Sequence, residues 1–379
     1  MLDNTPPGLL GARSPAAFLS RYWQKKPLLI PAARPDFSDP LSRDRLIALA
    51  CRDDVDARLV LRERGHYSVT HGPFVSRDFR NLPATNWTLL VQGVNRVDAA
   101  SDRLLRSFSF LPYARLDDVM VSYAAPGGGV GPHFDSYDVF LLQARGRRRW
   151  RYGKQTDLTL RANIELKILR RFTPQHDAVL APGDMLYLPP TIAHDGRAVD
   201  DCITYSIGFR APTHAEIIQA FLDFLRDHLP LPKGRYADPD AKPAQYPARI
   251  DPATHRRIAA TLSHLRWGPE DVARFVGCHL SEPKPIVRFQ APTPVLSVRT
   301  FASRMTVRGL ALDRATQLLY DDASFYMNGE PVAFGGAGVE PLRRLANRRA
   351  LSGPECRTLA GPLLRLLYDW YRYGFIQLA

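Results

Sequence analysis

A mainly β chain with helices, built as a double-stranded β-helix followed by helical segments, is what the sequence predicts, and three observations predict it. Over the first 213 residues, short apolar and aromatic runs of strand length alternate with Gly/Pro turns. Those runs bracket His133-Phe134-Asp135, which is answered by a second histidine, His194, 61 residues later. Beyond residue 213 the apolar spacing turns helical, and a single strong hairpin signal, Asn328-Gly329, follows.

Taken in chain order, the first elements are two helices. Pro15 to Tyr22 is capped by Ser14, and Arg43 to Cys51 by Ser42. Candidate strands then cover Arg58 to Leu61, Trp87 to Val91, Val119 to Tyr123, Val139 to Gln143, Met185 to Leu188 and Ile203 to Phe209. Many short strands around one site suit a double-stranded β-helix, whose mouth is a natural ligand site. The run Tyr137 to Leu142 is strand-like, and extended geometry beginning as early as His133 would set His133 and Asp135 on one face. The stretch Ala181 to Pro190 reads as a Pro-Gly turn, a short apolar strand and a Pro-Pro stop, delivering His194 just past the strand end.

Two histidines and one carboxylate on a single metal face leave other positions open, which is the ligand pattern of a non-haem iron(II) oxygenase. The bland alternative is two unrelated histidines, since His-X-Asp arises often by chance. A second feature bears on the choice. After the turn Ala144-Arg145-Gly146, a return strand from Arg147 to Tyr152 separates Arg147, Arg149 and Arg151 from Arg148, Trp150 and Tyr152. The first set suits solvent, and the second should face inward. An inward arginine needs an anionic partner, because its charge cannot be removed and unpaired burial is costly. A dicarboxylate co-substrate such as 2-oxoglutarate supplies one, and an internal salt bridge is the alternative.

A second region begins at Thr213-His214-Ala215-Glu216, a capping-box pattern. Ile217, Ile218, Phe221, Phe224 and Leu225 then recur at helical spacing. Leu229 to Arg249 reads as a linker or extended arm, followed by helices over Pro252 to Leu265 behind Asp251 and over Pro269 to Val276. A third region starts near Pro283. Leu310 to Tyr320 is ambiguous between helix and strand, and Ser324 to Met327 leads into the Asn328-Gly329 turn. Short helices carry Leu342, Leu345 and Ala346, and Leu363, Leu366 and Leu367 behind Pro362. Helices plus a hairpin suit a winged helix.

Composition narrows the class. A hydrophobic content of 45% with 23% charged residues is that of an ordinary soluble chain, long enough for two or three domains. No apolar run approaches the roughly 20 residues needed to span a bilayer. The stretch Met1 to Pro7 lacks a basic region followed by an apolar core, so no secretory signal is expected, and a cytoplasmic setting is. Cys51, Cys202, Cys278 and Cys356 are scattered, as reduced thiols would be. His66 and His71 flank a strand-like run, His176 sits in a polar loop and His279 lacks a second Cys/His pair, so none of these is expected to bind metal. The net charge of +13 invites a nucleic-acid reading. Yet the basic residues are spread along the chain, and aromatic residues do not recur among them as a stacking platform requires, so nucleic acid is not the expected partner.

Tyr22-Trp23-Gln24-Lys25-Lys26-Pro27, Pro126-Gly127-Gly128-Gly129-Val130-Gly131-Pro132-His133-Phe134-Asp135, Arg147-Arg148-Arg149-Trp150-Arg151 and Tyr205 to Pro212 together resemble the bacterial JmjC ribosomal oxygenases. The resemblance runs from about residue 15 to the C-terminus and is strongest from 118 to 212. It implies a cupin/JmjC jelly roll over 1–213, a helical dimerisation region over 214–282 and a winged-helix domain over 283–379. It also implies iron(II) and 2-oxoglutarate as cofactors, a homodimer, and an arginine of a large-subunit ribosomal protein as the target. Carried over position by position, His133, Asp135 and His194 are the implied iron ligands, and Arg148 the holder of the distal 2-oxoglutarate carboxylate. Ser122 matches a co-substrate contact with Met120 beside it, and Asp118 matches the acid facing the target guanidinium. Tyr137 and Ser206 are further implied substrate contacts. Some relatives carry serine where this chain has Ala124, which removes any side-chain hydrogen bond from that position. A ribosomal protein is usually basic too, so a positive enzyme would have to meet it through a local acidic patch to which Asp117 and Asp118 contribute.

Overall fold

A computed structural model describes residues 6–37, 41–230, 233–333 and 338–379, so most of the Met1 to Pro7 stretch lies outside the described residues. The chain divides into two compact units. One holds residues 1–211, 283–316 and 337–379, and the other holds 212–282 and 317–336.

The first unit begins with β1 (Leu9–Ala12), α1 (Pro15–Arg21), β2 (Leu28–Ile30), α2 (Arg43–Ala50), β3 (Ala57–Glu63), β4 (His66–His71), β5 (Trp87–Val91) and α3 (Ala99–Arg106). It continues through β6 (Leu116–Ala124), β7 (Val139–Arg145), β8 (Arg148–Gly153), β9 (His176–Leu180), β10 (Met185–Leu188), β11 (Ala193–Ala198) and β12 (Cys202–Phe209). The expected caps form: the hydroxyls of Ser14 and Ser42 accept from the backbone N–H groups of Ala17 and Arg45, both at 3.2 Å.

Eight strands make one antiparallel sheet in the order β2-β10-β7-β12-β6-β5-β3-β4, and a smaller sheet runs β11-β8-β9. Alternation explains why the larger sheet is covered on both faces. One face sends Leu89, Val119, Val121, Phe140, Leu142, Tyr187, Tyr205 and Phe209 into a core shared with Phe18, Leu46, Leu104 and Phe108 of α1–α3 and the segment after α3. The other sends Val139, Leu141, Leu186 and Leu188 against Trp150, Tyr152 and Leu180 of the smaller sheet. Each such side chain contributes about 1.5–3 kcal/mol through burial. The double-stranded β-helix expected from the sequence is thus formed.

The second unit contains α4 (His214–His228), α5 (Pro252–Leu262) and α6 (Pro269–Ser281). Thr213 and Glu216 form the expected capping box, with the Thr213 hydroxyl accepting from the Glu216 N–H at 3.1 Å. Along the chain, α7 (Val298–Arg308) and β13 (Leu310–Leu312) return to the first unit, so the ambiguous Leu310 to Tyr320 stretch resolves into two short strands rather than one element. The second of these, β14 (Leu318–Tyr320), pairs in the second unit with β15 (Phe325–Met327), and β15 pairs with β16 (Glu330–Val332). The hairpin turn falls on Asn328 and Gly329, with φ of 53° and 94°, the left-handed pair that Asn-Gly supplies. Finally α8 (Val339–Arg348), β17 (Ala350–Leu351), α9 (Gly353–Cys356), α10 (Gly361–Arg372) and β18 (Ile376–Leu378) complete the first unit. Among the described residues, no helix is long and apolar enough to cross a membrane.

Three local expectations need correction. His194 does not trail β10 but lies inside a strand of its own, β11. Pro189 and Pro190 do end β10, but Thr191 at φ 66° reverses the chain and extended structure resumes at Ala193. His176 opens strand β9 instead of sitting in a loop. Regular pairing of the next strand begins at Val139, so His133 and Asp135 precede it, and His133 is held by an isolated bridge to His194.

Candidate active site

That isolated bridge builds the site. The His133 N–H donates to the His194 carbonyl at 2.9 Å and the His194 N–H returns a bond at 2.8 Å, so the two residues are a hydrogen-bonded antiparallel pair. Their imidazoles fall side by side, with ring centres 4.2 Å apart. Two residues on, the Asp135 carbonyl accepts from the Thr191 N–H at 2.8 Å, which ties Asp135 to the entry of β11. Ligand atoms of His133, Asp135 and His194 all lie within 4.8 Å of one another. Each Nδ1 donates to the carbonyl two residues earlier, Gly131 for His133 and Ile192 for His194, at 2.9 Å. A carbonyl only accepts, so both rings are fixed with Nε2 as the free lone pair, the usual preparation of a metal-binding histidine. Burial, aided by neighbouring His133, pushes His194 down to about 4, so its ring is neutral at physiological pH. The donor set, two imidazoles and a carboxylate, fits a divalent transition metal.

Arg148 lies on β8, the strand that pairs with His194's strand β11, and is 5% exposed. Its Nη1 donates to the Ser122 hydroxyl at 3.1 Å, while Nε and Nη2 have no partner. Among the described residues no carboxylate pairs with it, so the internal salt bridge considered for this position is not what the structure holds. A buried guanidinium with two unsatisfied donors is the complement of a carboxylate ligand. On the same strand, the indole Nε1 of Trp150 is also buried without a partner, as is the Thr88 hydroxyl of β5. Residue 196, opposite Trp150 on β11, must be glycine, because a Cβ there would sit 2.6 Å from the indole ring. The outward arginines are not simply solvated. Arg149 pairs with Asp177, Arg147 with Asp200, and Arg151 with the buried Asp195 at 2.5 Å, next to His194 in sequence.

Asp118, Met120 and Ser122 share the site-facing side of β6, as alternation requires, while Val119, Val121 and Tyr123 face the helices. Asp118 is 3% exposed. The Gln92 side-chain amide donates to both its oxygens, at 3.1 and 2.9 Å. Ser206 of β12 is buried and sits opposite Met120. Nearby, a Cβ on Gly208 would meet Asp118 at 3.8 Å and Tyr137 at 4.0 Å, so this glycine leaves space between the two. Burial, with Asp135 and Asp118 adding to it, pushes the Tyr137 hydroxyl well above the usual tyrosine range and keeps it a neutral donor. The sequence reading missed Gln92, Asp195, Thr88 and Lys284, whose ammonium lies 2.8 Å from Asp117 and 3.1 Å from Asp118. No local signal marks them.

Comparison with known proteins bears on this geometry. Residues 103–217 match the JmjC domain family and residues 261–377 the ROXA-like winged helix family. The ribosomal protein uL16 3-hydroxylase of Escherichia coli K12 is 40% identical over 278 residues, 73% of this chain and 74% of that protein. A probable ribosomal oxygenase of Haemophilus influenzae is 40% identical over 209 residues, 54% of this chain and 52% of that protein. Among solved structures, E. coli YcfD superposes with a TM-score of 0.85 at 33% identity, covering 97% of this chain and 98% of that one. The same ribosomal oxygenase in complex with cobalt and 2-oxoglutarate superposes with a TM-score of 0.80 at 34% identity, with the same coverage.

Proposed function

Because the chain belongs to the JmjC-domain ribosomal oxygenases, we propose that it is an iron(II)- and 2-oxoglutarate-dependent hydroxylase acting on the β-carbon of an arginine in a large-subunit ribosomal protein. The observation that carries this reading is the pairing of the His133, Asp135 and His194 cluster with a buried Arg148 that lacks an anionic partner. His133, Asp135 and His194 would hold the iron, and Arg148, steadied by Ser122 with Met120 beside it, would hold the distal carboxylate of 2-oxoglutarate. When bound, iron and 2-oxoglutarate supply the oxidising power that turns a C–H bond into C–OH, consuming dioxygen and releasing succinate and carbon dioxide.

The chain's own residues decide which bond is oxidised. Asp118 would fix the target guanidinium, since Gln92 already orients both of its oxygens. Tyr137, held neutral, would donate a hydrogen bond to the same substrate segment, and Ser206 would line its path. The apolar packing of Trp150, Tyr152 and Leu186 keeps water out behind the site.

The test is direct. The full chain, loaded with iron(II) without oxygen, is given oxygen, 2-oxoglutarate and a recombinant uL16 protein, which is then weighed by mass spectrometry. One added oxygen, absent with Asp118→Ala although that variant still binds iron, is the expected result. Full hydroxylation by Asp118→Ala would remove the substrate assignment.

The second unit supports a homodimer. Ile218 and Leu222 of α4 and Ile258 and Leu262 of α5 are 47–66% exposed, an apolar surface that a second copy would cover. Light scattering of the full chain is expected to give twice the 42.6 kDa chain mass, and a monomer would dismiss the dimer. A ribosomal substrate would also place the enzyme in the cytoplasm.

A further inference from the structure

Asp118 is not waiting empty for a cation. The chain supplies one from far along its own sequence: Lys284, 166 residues away, donates to Asp118 at 3.1 Å and pairs with Asp117 at 2.8 Å. Its placement is built in rather than incidental. Prolines 283 and 285 flank it, fixing their own φ and biasing the backbone of residues 282 and 284 toward extended structure. The Val287 N–H then donates to the Lys284 carbonyl at 2.9 Å and closes a turn behind it. The side chain is 36% exposed, so the ammonium reaches the buried carboxylate from the solvent side. Burial alone would lower the ammonium, but Asp118 and Asp117 outweigh it and raise Lys284 above the usual lysine range.

We propose that Lys284 is an internal competitor for the substrate cation, one that any target side chain must displace from Asp118 before it is held there. The inference rests on the reading that Asp118 receives the target side chain. With Gln92 occupying one acceptor direction on each Asp118 oxygen, and Lys284 taking another on Oδ2, an incoming cation must displace the ammonium. A substrate lysine would exchange one ammonium for another and gain little. A substrate arginine brings a planar fork that grips both oxygens at once, so it gains what Lys284 cannot provide. Asp117, 29% exposed at its side chain, keeps the displaced Lys284 paired, so the exchange does not strand a charge. Lys284 on both acids and Arg210 at 3.9 Å from Asp117 leave the pair with little net charge, so a guanidinium is favoured by its geometry rather than by net attraction.

The experiment uses the full iron-loaded chain, the recombinant uL16 protein, and a version of that protein with the hydroxylated arginine, located by fragment-ion mass spectrometry, replaced by lysine. The lysine version is tested as a competitive inhibitor of hydroxylation of the arginine version. In Lys284→Met, which removes the competitor for both cations alike, KM for the arginine version and the inhibition constant of the lysine version each fall by about fivefold. In Lys284→Arg, whose fork holds the two acids more firmly, KM for the arginine version rises. An unchanged KM and inhibition constant in Lys284→Met, or an unchanged KM in Lys284→Arg, overturns the proposal. Lys284→Gln replaces the methionine variant if that one fails to fold. Asp118→Asn separates the two layers. If it hydroxylates normally, the assignment of Asp118 falls; if it is inactive while the Lys284 variants leave KM and the inhibition constant unmoved, only the role of Lys284 falls.

Discussion

Strands β5, β6 and β12 turn Leu89, Val119, Val121, Tyr205 and Ile207 toward the helices, and Thr88, Asp118, Ser122, Thr204 and Ser206 toward the smaller sheet. Both sets are buried, and they alternate residue by residue along the same backbone. The first set is apolar and closes a core with Phe18, Phe108 and Phe140 at ring distances of 4.8–5.5 Å. The second is polar, and parts of it, with Arg148 and Trp150 of the smaller sheet, lack hydrogen-bond partners. Period two therefore separates stability from chemistry at a spacing of one residue. A buried polar face left partly unsatisfied costs stability, so its persistence points to a ligand that completes it.

The contrast breaks most sharply with one substitution on each side. His194→Ala removes a ligand from the metal cluster while the helix-facing core is untouched. Oxygen consumption and succinate formation are expected to fall to background while the far-UV circular dichroism and urea midpoint stay near those of the parent. Residual turnover above a tenth of the parent rate would remove His194 from the metal site. Phe140→Ala acts on the other face, deleting a side chain that is 0% exposed and ringed by Phe18, Phe108, Tyr187 and Phe209. Its expected cost is about 3–5 kcal/mol in urea unfolding, with kcat retained by whatever remains folded below the transition. A loss under 1 kcal/mol would mean that the helix-facing core is far looser than its packing implies.

The same contrast explains what could be read from the sequence. Strands β5 and β10 were legible to the residue, and β6, β7 and β12 nearly so, because their helix-facing residues form unbroken alternating apolar sets. The His133-X-Asp135 motif was legible because its residues are close in sequence. Strands β9 and β11 were not. Their outward positions hold Asp177, which pairs with Arg149, and Asp195, which pairs with both Arg151 and Arg197, so local polarity disguised them as loop. Gln92 and Lys284 were invisible for a different reason. They meet Asp118 across 26 and 166 residues, and no spacing rule reaches that far. The first turns of α1, α2 and α4, by contrast, are set by their own caps at Ser14, Ser42 and Thr213, and were read correctly.

Arg148 tests the polar face with a smaller but two-sided effect. Its guanidinium is buried, takes one hydrogen bond to Ser122, and leaves Nε and Nη2 without acceptors. In the absence of co-substrate such a charge destabilises the fold, because its desolvation is not repaid by a partner. Arg148→Met keeps much of the side-chain volume and removes the charge. The metal-loaded variant without 2-oxoglutarate should therefore melt at a higher temperature than the parent, by an amount on the order of 1 kcal/mol. Adding 2-oxoglutarate should raise the melting temperature of the parent through binding but leave that of the variant unmoved, and KM for 2-oxoglutarate should rise at least about tenfold. A variant that melts lower and still responds fully to 2-oxoglutarate would show that Arg148 is a structural cation, and the anchor for the co-substrate would have to be sought elsewhere on this face, where Trp150 and Thr88 hold the other unpartnered polar atoms.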